Sequence, residues 1–231
     1  MKKSITLILL LVTAFIYAQD LGPTVDVIGE GIIRVVPDEV TVTVRVENSG
    51  KDAALIKQEN DRTVNNVLDF VKKMGVEEKN VRTEYINLNK NYDYNSKTYS
   101  YTANQTISIL LKDLKKYEDL MNGLLKSGIN RIDGVAFSSS KIETLEVEAR
   151  KKAVLDAKDK AAVYAGVLEQ RIGNAVKIRE MEVNNYPPQP MFRLESSSAM
   201  DKGSDQQTLA PGELEISRKV SISFQLYNKG N

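Results

Sequence analysis

The sequence predicts an α+β fold, three helices packed on largely antiparallel sheet in the order ββαββαβαββ, and three observations carry that prediction. Apolar residues alternate with polar ones in separate runs, most plainly Val40, Val42, Val44 and Val46 against Thr41, Thr43, Arg45 and Glu47. Elsewhere the period changes to three and four, as in Ala53, Ile56, Val64, Val67, Val71 and Met74. Turn and cap residues stand where the period changes: Pro37-Asp38, Gly75, Asp113 and Gly128. Strands and helices mixed without regular βαβ alternation place helices on antiparallel sheet.

The first strand holds Val25, Val27, Ile33 and Val35 on one parity, with Gly29 and Gly31 in the same row. Pro37 presets φ and Asp38 can bond its own following backbone, so the pair reads as a hairpin into the Val40 to Val46 strand. A helix from Ala53 to Met74 follows, with Gly75 as its left-handed cap. A strand from Val81 to Leu88, a polar tyrosine-dense tip and a returning strand from Thr98 to Leu111 come next. Asp113 is placed to cap a second helix whose buried stripe is Leu114, Tyr117, Leu120, Met121, Leu124 and Leu125. After a short strand at Asp133 to Phe137 comes the longest helix, capped by Ser139 or Ser140. Leu145, Ala149, Ala153, Ala157, Ala161 and Ala165 recur in it every four residues. That spacing overshoots a turn by about 40° each step, so the small-residue stripe wraps the helix. Glu146 to Arg150, Glu148 to Lys152 and Asp156 to Lys160 mark its solvent side. Strands at Ala175 to Val183 and Leu214 to Leu226 complete the chain.

Residues 1 to 18 read as a signal peptide. Lys2 and Lys3 precede an apolar run from Ile5 to Ile16 that is too short to span a bilayer, and Ala18 stands before polar Gln19. The rest, 19–231, reads as one domain. Its Asn184 to Gly212 stretch holds four of the six prolines and a serine run at 196 to 198, the composition of a mobile loop. Lys and Arg number 32 against 31 Asp and Glu, and this near-neutral balance argues against nucleic acid as a partner. No second apolar run resembles a membrane span.

The chain contains no Cys, His or Trp. That excludes imidazole bases, thiol nucleophiles, disulfides and zinc sites built on them, and no metal or cofactor is expected. Gly29-Glu30-Gly31 is only part of a dinucleotide fingerprint. It sits in a strand, where it marks a bulge or a close crossing of another segment. Glu143, Glu146, Glu148, Asp156 and Asp159 share one helix and form its solvated face. The informative cluster is aromatic, since Tyr85, Tyr92, Tyr94, Tyr99 and Tyr101 are five of the ten tyrosines. Tyr92, Tyr94, Tyr99 and Tyr101, with Met191 and Phe192 of the long loop, are the candidate interaction surface. Tyrosine on a polar hairpin offers contact area to protein or glycan, and cross-strand pairing of the rings also stabilises the hairpin itself.

Gly29-Glu30-Gly31, Pro37-Asp38, Thr83, Tyr99-Ser100-Tyr101, Gly128-Ile129-Asn130-Arg131-Ile132 and the alanine-stepped helix closing with Gly166 and Gly173 together resemble the SIMPL-domain family. The resemblance runs from Thr24 to Leu226. It implies an α+β fold and a secreted, periplasmic or outer-membrane-associated protein. It also implies links to stress tolerance and self-assembly in some members, and no established catalytic residues. The Pro- and Ser-containing 184–212 stretch departs from shorter members. Two classes of function follow: a non-catalytic extracytoplasmic assembly or binding protein, contacting itself, another envelope protein or a glycan, and alternatively a carboxylate-dependent hydrolase or glycan binder of envelope polymers.

Overall fold

A computed structural model describes residues 22–181 and 211–228. The signal segment, Met191 and Phe192, and nearly all of the 184–212 stretch lie outside the described residues. The strands are β1 Thr24–Val35, β2 Glu39–Gly50, β3 Val81–Asp93, β4 Thr98–Leu111, β5 Arg131–Ser138, β6 Gln170–Met181 and β7 Leu214–Asn228. The helices are α1 Ala53–Lys73, α2 Tyr117–Lys126 and α3 Ile142–Val167. The order is ββαββαβαββ, as the sequence predicts, in two antiparallel sheets. The described residues group into two compact units, one of residues 22–33, 145–181 and 217–228, the other of residues 34–144 and 211–216.

The first unit is built on the sheet β1-β7-β6. Its core joins Val27 of β1 and Val220, Ile222 and Phe224 of β7 to Ala153, Ala157 and Ala161 of α3. The glycines make this packing close. A Cβ at Gly29 would lie 2.0 Å from the carbonyl oxygen of Ala153, and one at Gly31 would lie 2.0 Å from that of Ala149. The crossing segment anticipated at Gly29-Glu30-Gly31 is therefore α3 itself. Its side chains also close the free edge of β1. Asp156 Oδ2 accepts from the Glu30 amide at 2.8 Å, while Lys160 and Lys152 donate to the carbonyls of Ile28 and Ile32 at 3.1 and 3.4 Å. The Lys160 ammonium, followed by the Glu30 amide, holds the Asp156 carboxyl below its usual range. Ala153→Leu is expected to overpack this contact and to lower stability by about 1–3 kcal/mol in denaturant unfolding. Exposed Lys151→Ala is the control and should stay within roughly ±0.5 kcal/mol.

Four sequence expectations change here. Leu214, Ile216, Val220, Ile222 and Phe224 are buried as their alternation requires, but the skipped position of that row, Arg218, is buried too, at 7% exposure. Its guanidinium meets Glu146 of α3 at 2.5 Å, and Glu146 also meets Arg150, which pairs with Glu180 of β6. Glu146 and Asp156 thus bind strands to the helix rather than only facing water. Gly173 does not close the helix. It lies inside β6, packed against the Tyr227 ring, and the chain leaves α3 through Glu169 at φ 56. Finally, β1 and β2 form no hairpin, because β1 pairs with β7 and β2 with β4 and β5. Asp38 holds the entry to α3 instead, accepting from the Ser140 amide and hydroxyl at 2.7 and 2.6 Å.

The second unit is built on the sheet β3-β4-β2-β5, with α1 and α2 on one face. Val40, Val42, Val44 and Val46 of β2 and Ile107, Ile109 and Leu111 of β4 meet Val64, Val67 and Val71 of α1 and Leu120 and Leu124 of α2. Asp52 caps α1, accepting from the amides of Ala54 and Leu55. Gly75 takes φ 82 after its last turn, as its position predicts. Asp113 caps a short 3₁₀ turn, Leu114–Lys116, rather than α2 directly. Leu125 falls outside the buried stripe and is more than half exposed. Asn130 clamps β2 by bonding both backbone groups of Glu47, and Asn60 ties α1 to the sheet.

Candidate interaction surface

The tip that reads as polar loop is strand: β3 continues to Asp93 and pairs with β4 down to Asp93↔Thr98. Asp93 closes the turn. Its carboxylate accepts from the amides of Asn95 and Ser96 and from the Ser96 hydroxyl, with Lys97 at φ 53. The Asn95 amide, chiefly, holds the Asp93 carboxyl below its ordinary range.

Register then sorts the side chains. Directly opposed residues of an antiparallel pair share a face. Ile86↔Gln105, Leu88↔Ala103, Lys90↔Tyr101 and Tyr92↔Tyr99 therefore lie on the face that α1 covers farther along the sheet. Tyr85↔Thr106, Asn87↔Asn104, Asn89↔Thr102 and Asn91↔Ser100 lie on the other. Tyr92 stacks edge-on with Tyr94 at 5.0 Å between centroids and meets Tyr99 at 4.8 Å. Lys90 Nζ stands 4.0 Å over the Tyr99 ring and 6.0 Å from that of Tyr101.

The four described residues of the sequence-predicted surface, Tyr92, Tyr94, Tyr99 and Tyr101, thus come together. Tyr85 belongs to the opposite face, because a bulge between Thr83 and Tyr85 resets the alternation. Sequence reading missed Ile86, Leu88 and Lys90, which extend the tyrosine row. Ile86 is 71% exposed, Leu88 45% and Tyr94 84%. Their signal was parity, since 86, 88, 90 and 92 alternate with Asn87, Asn89 and Asn91 once the strand is known to continue. Rings touching one another and an aliphatic stretch left exposed can bury against a partner, whereas on the other face Asn87 donates to the Tyr85 hydroxyl and Asn91 to the Thr102 hydroxyl.

Nearer the start of β3, a cleft of about 500 Å³ opens between Leu68, Val76 and Val81, with Asp69, Lys72 and Glu78 at its lining. Among the described residues no group of three or more metal-ligating side chains comes together. No described helix is long and apolar enough to cross a membrane, a statement that does not extend to strands. The carboxylates whose pKa moves, Asp38, Glu77, Asp93 and Asp156, all move down, as hydrogen-bond acceptors and ion-pair partners do.

Fold and surface define an α+β protein that presents an aromatic strand pair on a helix-backed antiparallel sheet. The SIMPL family, described as a protein of unknown function (DUF541), matches residues 25–224, and the chain belongs to it. It is 28% identical to the uncharacterized protein YggE of Escherichia coli K12 over 208 residues, 89% of this chain and 84% of that one. It is 26% identical to the 26 kDa periplasmic immunogenic protein of Brucella melitensis over 214 residues, 87% and 83% of the two chains. A Xenopus laevis homolog of interleukin-1 receptor-associated kinase 1-binding protein 1 is 25% identical over 218 residues, 93% and 84% of the two.

Proposed function

We propose that this chain is a non-catalytic extracytoplasmic protein that self-associates through the β3–β4 hairpin. The observation that carries the reading is the single face on which Ile86, Leu88, Tyr92, Tyr94, Tyr99 and Tyr101 gather, with the first five all at least 40% exposed. Removing such a row from water is favourable by about 25 cal/mol per Å² of apolar area, before association costs. The outer surface of α3 is a poorer contact, because its exposed Val147, Leu155 and Val163 are interspersed with exposed Lys151, Lys158 and Asp159, which would have to be desolvated with them. The periplasmic description of the Brucella relative and the basic, short apolar start of this chain support placement outside the cytoplasm. A role in envelope or oxidative stress tolerance is part of the proposal. Acids engaged as structural acceptors favour binding over hydrolysis.

Light scattering across micromolar concentrations tests the association. Tyr92→Ser/Tyr94→Ser is expected to shift the wild-type assembly toward monomer by about tenfold in dissociation constant, since two well-placed aromatic contacts contribute about 1 kcal/mol or more together. A wild type that stays monomeric, or a double variant that assembles as wild type does, rejects this surface. Loss of the tyrosines should leave the unfolding midpoint near its wild-type value if contact, rather than hairpin stability, is their main role.

A further inference from the structure

We propose that two copies join edge to edge along β3, antiparallel about a two-fold axis at Asn87, so that the four-stranded sheet runs on from one copy into the next. This rests on the hairpin reading above and assigns its partner surface and register. Among the described residues β3 is an outer strand of its sheet, and a free strand edge presents unpaired amides and carbonyls to any second strand. The edge of β1 is closed by Asp156, Lys152 and Lys160. Along β3, by contrast, both faces are open: Tyr85, Ile86, Leu88 and Tyr92 are all at least 40% exposed.

The residues themselves select the axis. Side chains opposed across a two-fold antiparallel pair share a face, so the apolar face of one copy must continue the apolar face of the other. With the axis at Asn87, Ile86 faces Leu88 of the second copy and Glu84 faces its Lys90. Each pair occurs twice. An axis at Ile86 would set Glu84 against Leu88, and beyond Glu84 the bulge between Thr83 and Tyr85 ends the regular register. An axis at Leu88 would set Ile86 against Lys90 and Glu84 against Tyr92. Only the Asn87 axis matches aliphatic to aliphatic and acid to base in both halves. Glu84 pairs with Arg82 at 2.8 Å within its strand and Lys90 leans over Tyr99 of β4, so each charge turns outward from these contacts when the two edges join.

The absence of cysteine from the chain makes the register directly readable. Single cysteines are placed in the full chain at Tyr85, Ile86, Asn87, Leu88 and Asn89 in turn, and coupling is scored by mild oxidation on a non-reducing gel. Cys at position 87 faces its own copy across the axis, at a Cα separation of about 4.5–5.5 Å that a disulfide accepts. At position 85 or 89 the two copies stand about 13 Å apart and cannot couple. Asn87→Cys is expected to give the dominant covalent dimer. Independently, Glu84→Lys should weaken association about tenfold, and Glu84→Lys/Lys90→Glu should restore it. Maximal coupling at another position, or no rescue by the double reversal, overturns the Asn87 register while tyrosine-dependent association stands. A chain that is monomeric in light scattering overturns both.

Discussion

Gly29→Ala is expected to destabilise the chain by about 3 kcal/mol or more, the large end of what overpacking produces. The added methyl would sit 2.0 Å from the Ala153 carbonyl oxygen and 2.6 Å from the Ala157 amide nitrogen. That is about 1.5 Å inside an ordinary contact of about 3.5 Å. Because the obstacle is backbone, no rotamer change relieves it, and α3 would have to lift off β1. Lifting the helix would also lengthen the bonds from Asp156, Lys152 and Lys160 to the β1 edge. Ala157→Gly in the same chain removes only the third contact, at 2.7 Å, and should recover little. Gly134→Ala is the control, since nothing lies within 4 Å of its would-be Cβ. It should leave the denaturant midpoint unchanged or raise it slightly. A Gly29→Ala midpoint equal to wild type would falsify the close approach.

Asn60→Asp is expected to cost about 3 kcal/mol at neutral pH. Asn60 is buried on α1, and its amide nitrogen donates to the Val46 carbonyl at 3.0 Å, to Asn48 Oδ1 at 3.1 Å and to the Ala103 carbonyl at 3.4 Å. A carboxylate of the same shape donates nothing and sets a buried negative charge against three oxygens. Burial and those oxygens favour its protonated form, so its folded pKa would lie above its unfolded one. The penalty is then full well above the folded pKa and shrinks as pH falls through it. Unfolding at pH 7 and about pH 4.5 should show the variant closer to wild type at the lower pH. Equal penalties at both would argue that lost donors alone account for the effect. The position also bears on the surface: Asn60 fixes α1 where β2 and β4 still pair, just before the hairpin runs on alone.

Strand and helix periods, read from the chain, determined the class and order of elements, because buried rows must recur every two residues or every three to four whatever their neighbours are. They also singled out Tyr92, Tyr94, Tyr99 and Tyr101, since a dense aromatic set on a polar tip is a matter of composition. The alanine row and the glycine pair were visible separately. That they are two sides of one contact, with Gly29 and Gly31 against the backbone of α3, was decided by tertiary packing, which no local period encodes. The same holds for Arg218, whose charge hides a buried strand position until Glu146 is brought beside it from α3. Pro37-Asp38 carries turn chemistry, yet whether a turn pairs its flanking strands depends on which distant strands compete, and β7, β4 and β5 did so. Ile86, Leu88 and Lys90 joined the tyrosines for a similar reason. A side chain's face depends on strand continuation and on one bulge, both set by pairing with β4 rather than by the residues of β3 alone.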